Sequence, residues 1–155
     1  MQVLPVLLRK IKTAVQAPWD EKWMFFEAFF LCGYVRLALL VIPFRKLAPK
    51  LGRHKHETSR DMDWAVLDDL RKVRRAVNRA SLLTPWQSKC FVQAIAGKIM
   101  LRKRGFPSTI YLGVCKDREK KEGLKAHAWL RSGQLIVTGR EGMMAFTVVA
   151  TFGEE

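Results

Sequence analysis

The spacing of apolar residues in the middle of the chain predicts two consecutive helices. In residues 63–83 the apolar positions recur at intervals of three and four, which places them on one helix face. These positions are Val66, Leu70, Val73 and Val77. A second helix is predicted over residues 85–104. Gly105 and Pro107 follow it as stop signals.

Beyond residue 107 the pattern changes to short apolar or alternating segments, which predict strands. Turn residues separate four such segments: 109–114, 124–131, 134–138 and 145–150. Two helices followed by a series of hairpin-connected strands predict an α+β fold with an antiparallel meander. We expect residues 63–155 to form this core, and residues 1–62 to form an N-terminal helical extension with a basic linker.

The N-terminal extension contains a long apolar run at residues 24–42. The run is long enough to be considered as a membrane span, but it contains Glu27 and Arg36. An arginine at the centre of a span costs about 2.5–3.5 kcal/mol. Three interpretations stay open: a helix that is buried or docks a partner, a helix on a membrane surface, and a spanning helix. Residues 1–17 are expected to form a basic amphipathic segment, and residues 45–62 a linker.

The chain of 155 residues carries a formal net charge of +14, and its basic residues are spread along its whole length. This distribution favours solvated basic helix faces, or an acidic peptide or protein partner, over nucleic acid or anionic lipid. Three widely spaced cysteines with no preceding secretion signal predict free thiols in a reducing cytoplasm. His54 and His56 are expected in a polar loop, and no ligand spacing predicts a metal or a cofactor.

Cys90 is the candidate nucleophile. Thr84, Pro85 and Gln87 precede it in an order that is typical of a capped helix start, with Thr84 as the N-cap. Cys90 would then lie in the second turn, near the positive end of the helix dipole, which favours a thiolate. His127 lies in a predicted strand, and a helix cysteine followed by a strand histidine is typical of thiol–imidazole enzymes.

Four segments, taken in their order and spacing, resemble one family of thiol enzymes. They are residues 84–90 (TPWQSKC), 101–107 (LRKRGFP), 111–114 (YLGV) and 126–130 (AHAWL). Together they resemble the transglutaminase-like leader peptidase of lasso-peptide biosynthesis, the B protein in the form that lacks a fused recognition domain. The resemblance is strong over residues 63–152, and it implies a transglutaminase-like or papain-like core.

The resemblance also implies a function and partners. Such a peptidase removes the leader from a ribosomally made precursor peptide. A separate small protein recognises the leader, and a macrolactam synthetase closes the ring on the freed amine. The family's cysteine falls on Cys90 and its histidine on His127. Cys90 would attack the scissile carbonyl with His127 as the base, and the Cys90 backbone N–H is a candidate oxyanion donor.

The third member of the triad is not evident from the sequence. The family pattern often has an aspartate on the strand after the histidine strand, whereas this chain has Thr138 and Gly139 near that position. Glu141, Thr138 or a backbone carbonyl would orient the ring, or the site is a dyad. Three aromatic residues are candidates for lining the substrate cleft or for packing in the core: Trp86, Tyr111 and Trp129.

Two other functions are compatible with the sequence. An enzyme with the same fold and the same two residues can transfer the acyl group to an amine instead of to water. A non-enzymatic basic binding module would use the apolar run as its docking face, and its function would survive Cys90→Ala.

Overall fold

The computed structural model describes residues 18–85, 89–117 and 123–155. Within these ranges the fold is α+β, as predicted, with a helix on the N-terminal side of the core. The helices are α1 (Trp19–Val41), α2 (Phe44–Leu47), α3 (Leu67–Leu83) and α4 (Cys90–Lys103). The strands are β1 (Arg53–His54), β2 (Ser108–Lys116), β3 (Leu124–Ser132), β4 (Leu135–Thr138) and β5 (Thr147–Glu154). The amphipathic segment predicted for residues 1–17 lies outside the described residues.

Helix α1 contains the apolar run, and it packs against α3 and α4 along one face. Ala28, Cys32 and Val35 are almost fully buried on that face. Pro43 follows the helix directly, at the position where the sequence predicts its end. One face of this helix is therefore packed in the folded domain, and the opposite face is exposed.

Helix α3 follows the predicted period. Its buried positions lie three or four residues apart, and they are Leu70, Val73, Ala76, Val77 and Ala80. A short 3-10 turn at Trp64–Val66 precedes the helix, and the Asp63 side chain accepts the Ala65 N–H there at 2.9 Å. The aspartates and arginines of α3 thus flank a stripe that belongs to the core.

Helix α4 begins later than predicted. Its first residue is Cys90 and its N-cap is Lys89, which makes no side-chain capping bond. Thr84 is instead the C-cap of α3, where its N–H donates to the Ala80 carbonyl at 3.0 Å. The physical reason is Pro85, because a residue before proline is pushed out of the helical region, and Thr84 is extended. The predicted capping partner Gln87 lies outside the described residues.

The five strands form one antiparallel sheet in the order β1-β5-β2-β3-β4. Strands β2, β3 and β4 form the predicted meander. Strand β5 does not continue this meander. It pairs with β2, on the side of β2 that faces away from β3, and not with β4. Strand β1 lies within the segment predicted as a linker, and it pairs with β5 at the edge of the sheet.

Helix α4 lies close against one face of this sheet. At Gly97, an added Cβ would come within 2.9 Å of the Leu130 side chain and 3.5 Å of the Thr138 methyl group. Ile110 and Ala128 complete the buried surface beneath the helix. This close approach places the middle of α4 against strands β3 and β4.

Residues 57–59, which precede α3, lie against the opposite face of the sheet. Arg131 is buried there, and it donates to the Thr58 carbonyl at 2.8 Å and to the Ser59 carbonyl at 3.2 Å. Its Nε also donates to the Tyr111 hydroxyl at 2.8 Å, and that hydroxyl donates to Glu57 at 2.7 Å. These bonds attach residues 57–59 to the sheet.

Candidate active site

Cys90 is the first residue of α4. Because the helix begins later in the chain than predicted, Cys90 lies in its first turn and not in its second. The Cys90 side chain is partly exposed. The first N–H groups of a helix have no acceptor within the helix, so they present positive partial charge to their surroundings. The first described bond along α4 runs from the Gln93 N–H to the Lys89 carbonyl. Cys90 therefore sits at the end of the helix that favours negative charge.

His127 lies in β3 opposite Gly113, and its ring is held on three sides. The ring centroid is 5.0 Å from that of Phe146 and 5.9 Å from that of Trp129. Its Nε2 lies 2.8 Å from the Gly139 carbonyl oxygen. A carbonyl can only accept, so Nε2 carries the proton and Nδ1 remains as the basic nitrogen.

Cys90 and His127 line one cavity of about 390 Å³. Its walls come from α3, from the start of α4 and from the end of β4 with the turn that follows. The remaining lining residues are Arg74, Asn78, Ser81, Leu82, Gln93 and residues 136–141. Both residues line this cavity, but among the described residues no hydrogen bond joins the Cys90 thiol and the His127 ring. The alternation of side chains along β3 turns His127 to the face of the sheet opposite Leu130, which packs against α4, so the expected direct contact of sulfur and imidazole is not present in this structure.

The carbonyl of Gly139 is the hydrogen-bond partner that the described residues provide for the His127 ring. Glu141 is exposed and lines the same cavity. The Thr138 hydroxyl is buried and has no hydrogen-bond partner among the described residues. Of the orienting groups considered from the sequence, the backbone carbonyl is the one that contacts the imidazole.

Only glycine fits position 139. Its φ is +72°, in the left-handed region, and an added Cβ would overlap the Ala128 carbonyl oxygen and come within 2.9 Å of the Trp129 Cα. The register shift between Leu130 and Arg131 brings this turn back against β3. The sequence placed Gly139 near His127, but nothing in it showed that the glycine carbonyl would reach the ring.

Of the aromatic candidates, Trp129 lies beside the His127 ring and Tyr111 stacks on Trp129, and neither lines the cavity. Tyr111 and Trp129 are each 6% exposed, and their rings stack with centroids 5.5 Å apart. Burial, and then the hydrogen bond with Glu57, raise the pKa of the Tyr111 hydroxyl. Trp129 supports the His127 ring from the same face of the sheet. Trp86 lies outside the described residues.

Two arginines on the cavity wall were not among the site residues expected from the sequence. Arg74 comes from α3 and Arg140 from the turn after β4, and Glu141 is the carboxylate beside them. None of these three forms an ion pair with another described residue. Basic residues on a helix are common, so the sequence held no signal that would separate Arg74 from its solvated neighbours.

A larger cavity of about 520 Å³ lies elsewhere, between α1, α3 and α4. Its charged lining residues bond one another: Lys72 lies 3.4 Å from Asp20, and Arg104 lies 2.7 Å from Glu27. Because these charges are already neutralised and no cysteine, serine or threonine is among the described residues that line this space, the smaller cavity at Cys90 is the candidate active site.

Comparison with known proteins identifies the family. No curated protein and no solved structure matches the chain significantly. A family model described as the transglutaminase-like superfamily matches residues 38–151, about three quarters of the chain. The match begins within α1, and it includes Cys90, His127 and the whole sheet except residues 152–154 of β5. The chain therefore belongs to the transglutaminase-like superfamily.

Proposed function

We propose that this protein is a cysteine peptidase that removes the leader from a ribosomally synthesised lasso-peptide precursor. Transglutaminase-like proteins are commonly cysteine proteases or transferases, which supports the thiol chemistry. The observation that carries the assignment is the shared cavity, with Cys90 at a helix N-terminus and His127 held by Gly139. The choice of a lasso-peptide leader rests on the resemblance of the four sequence segments.

The proposed reaction is a two-step acyl transfer, which requires the Cys90 thiol to come within hydrogen-bond reach of Nδ1 of His127. Nδ1 of His127 takes the Cys90 thiol proton, and the sulfur attacks the scissile carbonyl. The carbonyl oxygen becomes an oxyanion near the start of α4, where the Cys90 N–H is the candidate donor. His127 then protonates the leaving amine, which becomes the N-terminus of the core peptide. Water, deprotonated by His127, hydrolyses the thioester and restores the thiol.

The Gly139 carbonyl has a defined part in these steps. It accepts the Nε2–H at 2.8 Å, which leaves Nδ1 as the nitrogen that would take the thiol proton in the proposed reaction. When the imidazolium forms, the same carbonyl dipole stabilises its charge. A main-chain carbonyl thus takes the orienting part that an aspartate often has in the resembling family.

The cavity charge indicates the kind of peptide that binds. Arg74 and Arg140 contribute two positive groups against the single carboxylate of Glu141. Leu82, which is 83% exposed, adds an apolar contact at the same cavity. We propose that a peptide with a carboxylate near the scissile bond is preferred. A separate leader-recognition protein would deliver the precursor, and a macrolactam synthetase would use the freed amine.

The test is cleavage of a lasso precursor, followed by mass spectrometry, with and without its leader-recognition protein. We expect leader release by the wild-type chain, fastest with the recognition protein, and none by Cys90→Ala. Cys115→Ser is the matched control, because this partly exposed thiol lies on β2 and does not line the cavity. Full cleavage by Cys90→Ala would refute the catalytic assignment.

A transferase is the second candidate, because the superfamily contains both types of enzyme. The same thioester would then pass to an amine instead of to water. Adding a primary amine to the reaction distinguishes them, since a transferase product has the mass of the acyl group plus the amine. A hydrolysed leader with a free carboxyl end supports the peptidase.

A further inference from the structure

The outer face of α1 is a continuous apolar surface. Its large apolar side chains are 50–76% exposed, and they are Trp19, Trp23, Phe26, Phe30, Tyr34, Leu37, Leu40 and Val41. At 100° per residue these eight positions fall within an arc of about 120°, along a helix about 34 Å long. Single exposed apolar residues are ordinary, but a contiguous patch of this size marks an interaction surface.

The opposite side of α1 belongs to the folded domain. Ala28 and Cys32 are fully buried there. Glu27 on the flank of the helix pairs with Arg104 at 2.7 Å and with Lys103 at 3.2 Å. These interactions lower the pKa of Glu27, although its partial burial opposes the shift and is the larger single influence. Helix α1 is long and apolar enough to span a membrane, but spanning would require these contacts with α4 to break.

The charged residues around α1 indicate which kind of partner binds its outer face. The carboxylates of the helix are all engaged with bases of α3 and α4: Asp20 with Lys72, Glu21 with Arg75, and Glu27 with Arg104. Arg45, Lys46 and Lys50 follow the helix, are exposed, and form no ion pair with other described residues. A net charge of +14 on each chain also opposes pairing of two copies through this face.

We propose that the outer face of α1 lies in the surface of an anionic membrane, with the helix axis parallel to the bilayer plane. An apolar stripe in the interface and basic groups at the headgroups are the combination by which peripheral helices bind. The aromatic residues Trp19, Trp23 and Tyr34 suit the boundary between chains and headgroups. This inference does not depend on the proposed peptidase activity.

Flotation of the full chain with lipid vesicles tests the proposal. One set contains phosphatidylcholine alone, and the other contains phosphatidylcholine with phosphatidylglycerol. We expect the wild type to float with the anionic vesicles, more weakly at high salt, and to bind neutral vesicles less. Phe30→Glu should lower the affinity for anionic vesicles about tenfold or more. The substitution removes a ring that would be buried in the membrane, and it adds a negative charge.

Met144→Glu is the matched control, because Met144 is 89% exposed, lies outside α1, and undergoes the same change of charge. It should float like the wild type. Circular dichroism and thermal unfolding of Phe30→Glu should match the wild type, since Phe30 is 69% exposed. Wild-type protein that stays in solution with anionic vesicles would overturn the proposal. Flotation of Phe30→Glu equal to that of the wild type would also overturn it. The same holds if the wild type does not bind vesicles but binds a recognition protein, and Phe30→Glu abolishes that binding.

Discussion

The imidazole of His127 is held by the main chain, with Nε2 2.8 Å from the Gly139 carbonyl oxygen. The two residues are twelve positions apart, on β3 and on the turn after β4. Gly139 reaches this position through its left-handed conformation, directly over the β3 backbone. The orientation of a candidate general base therefore depends on a glycine and not on an acidic side chain.

The first prediction concerns this glycine. Gly139→Ala should reduce kcat about tenfold to hundredfold, because its Cβ would displace the turn and free the His127 ring. Gly142→Ala is the control, since Gly142 has a similar φ of +74° but its Cβ would meet no atom within 4 Å. That variant should lose only about 1–2 kcal/mol of stability and keep its kcat. Equal kcat values for the two variants would contradict the proposed role of Gly139.

The second prediction tests whether the Gly139 carbonyl or the Glu141 side chain orients the His127 ring. Glu141→Gln should change kcat by less than about twofold, because the carboxylate of Glu141 is exposed and does not bond the ring. Steady-state kinetics on the precursor provides the measurement, and His127→Ala should remove the activity. A loss for Glu141→Gln that approaches that of His127→Ala would identify Glu141 as the orienting group.

The third prediction concerns the unpartnered Thr138 hydroxyl. Thr138→Val should leave kcat unchanged and raise the free energy of unfolding by about 1 kcal/mol, because it removes a buried polar group that has no hydrogen bond. Chemical denaturation measures the stability, and precursor cleavage measures the activity. A marked fall in kcat without a loss of stability would show that the hydroxyl serves the reaction.

The fourth prediction concerns the cavity arginines. Arg74→Gln and Arg140→Gln should each raise KM about two- to fivefold for a peptide with Glu beside the scissile bond. The effect should disappear when that Glu is replaced by Gln, and it should shrink at high salt. Arg71→Gln is the control, because Arg71 is exposed on the same helix and does not line the cavity. Binding of the same peptides to Cys90→Ala measures recognition without cleavage.

The fifth prediction concerns Lys98, which is 3% exposed in α4. Its Nζ donates to the Ser108 carbonyl at 2.9 Å and lies 3.7 Å from Glu154. Burial lowers the pKa of Lys98 to about 8 from 10.5, and Glu154 opposes this only in part. Between pH 8 and 10.5 the unfolded chain thus binds a proton at Lys98 that the folded chain has lost, so stability rises with pH there.

Denaturation of the wild type and Lys98→Met at several pH values tests this. The stability of the wild type relative to Lys98→Met should rise by about 1–3 kcal/mol from pH 8 to 10.5. The same measurement on Lys116→Met, which replaces an exposed lysine at the end of β2, is the matched control. A flat difference for Lys98→Met would show that the lysine keeps its ordinary pKa in the fold.

Local patterns along the chain were enough to predict several of the helices and strands. The buried positions of α3 follow from its period of three to four residues. The strands β2 to β4 follow from short apolar or alternating segments between turn residues, although their buried residues are consecutive and do not alternate. The α+β class and the candidate pair Cys90 and His127 followed from the same kind of reading, together with the resemblance of four short segments.

The contacts between distant segments became known from the folded chain alone. The position of β5 beside β2, the strand at Arg53–His54 and the presence of Arg74 at the cavity all depend on contacts between residues far apart in the chain. The start of α4 is a local exception, where Pro85 ended α3 at a residue that also fits an N-cap. The Gly139 carbonyl could not be identified beforehand, because every residue has a carbonyl and only the fold brings one of them to the imidazole.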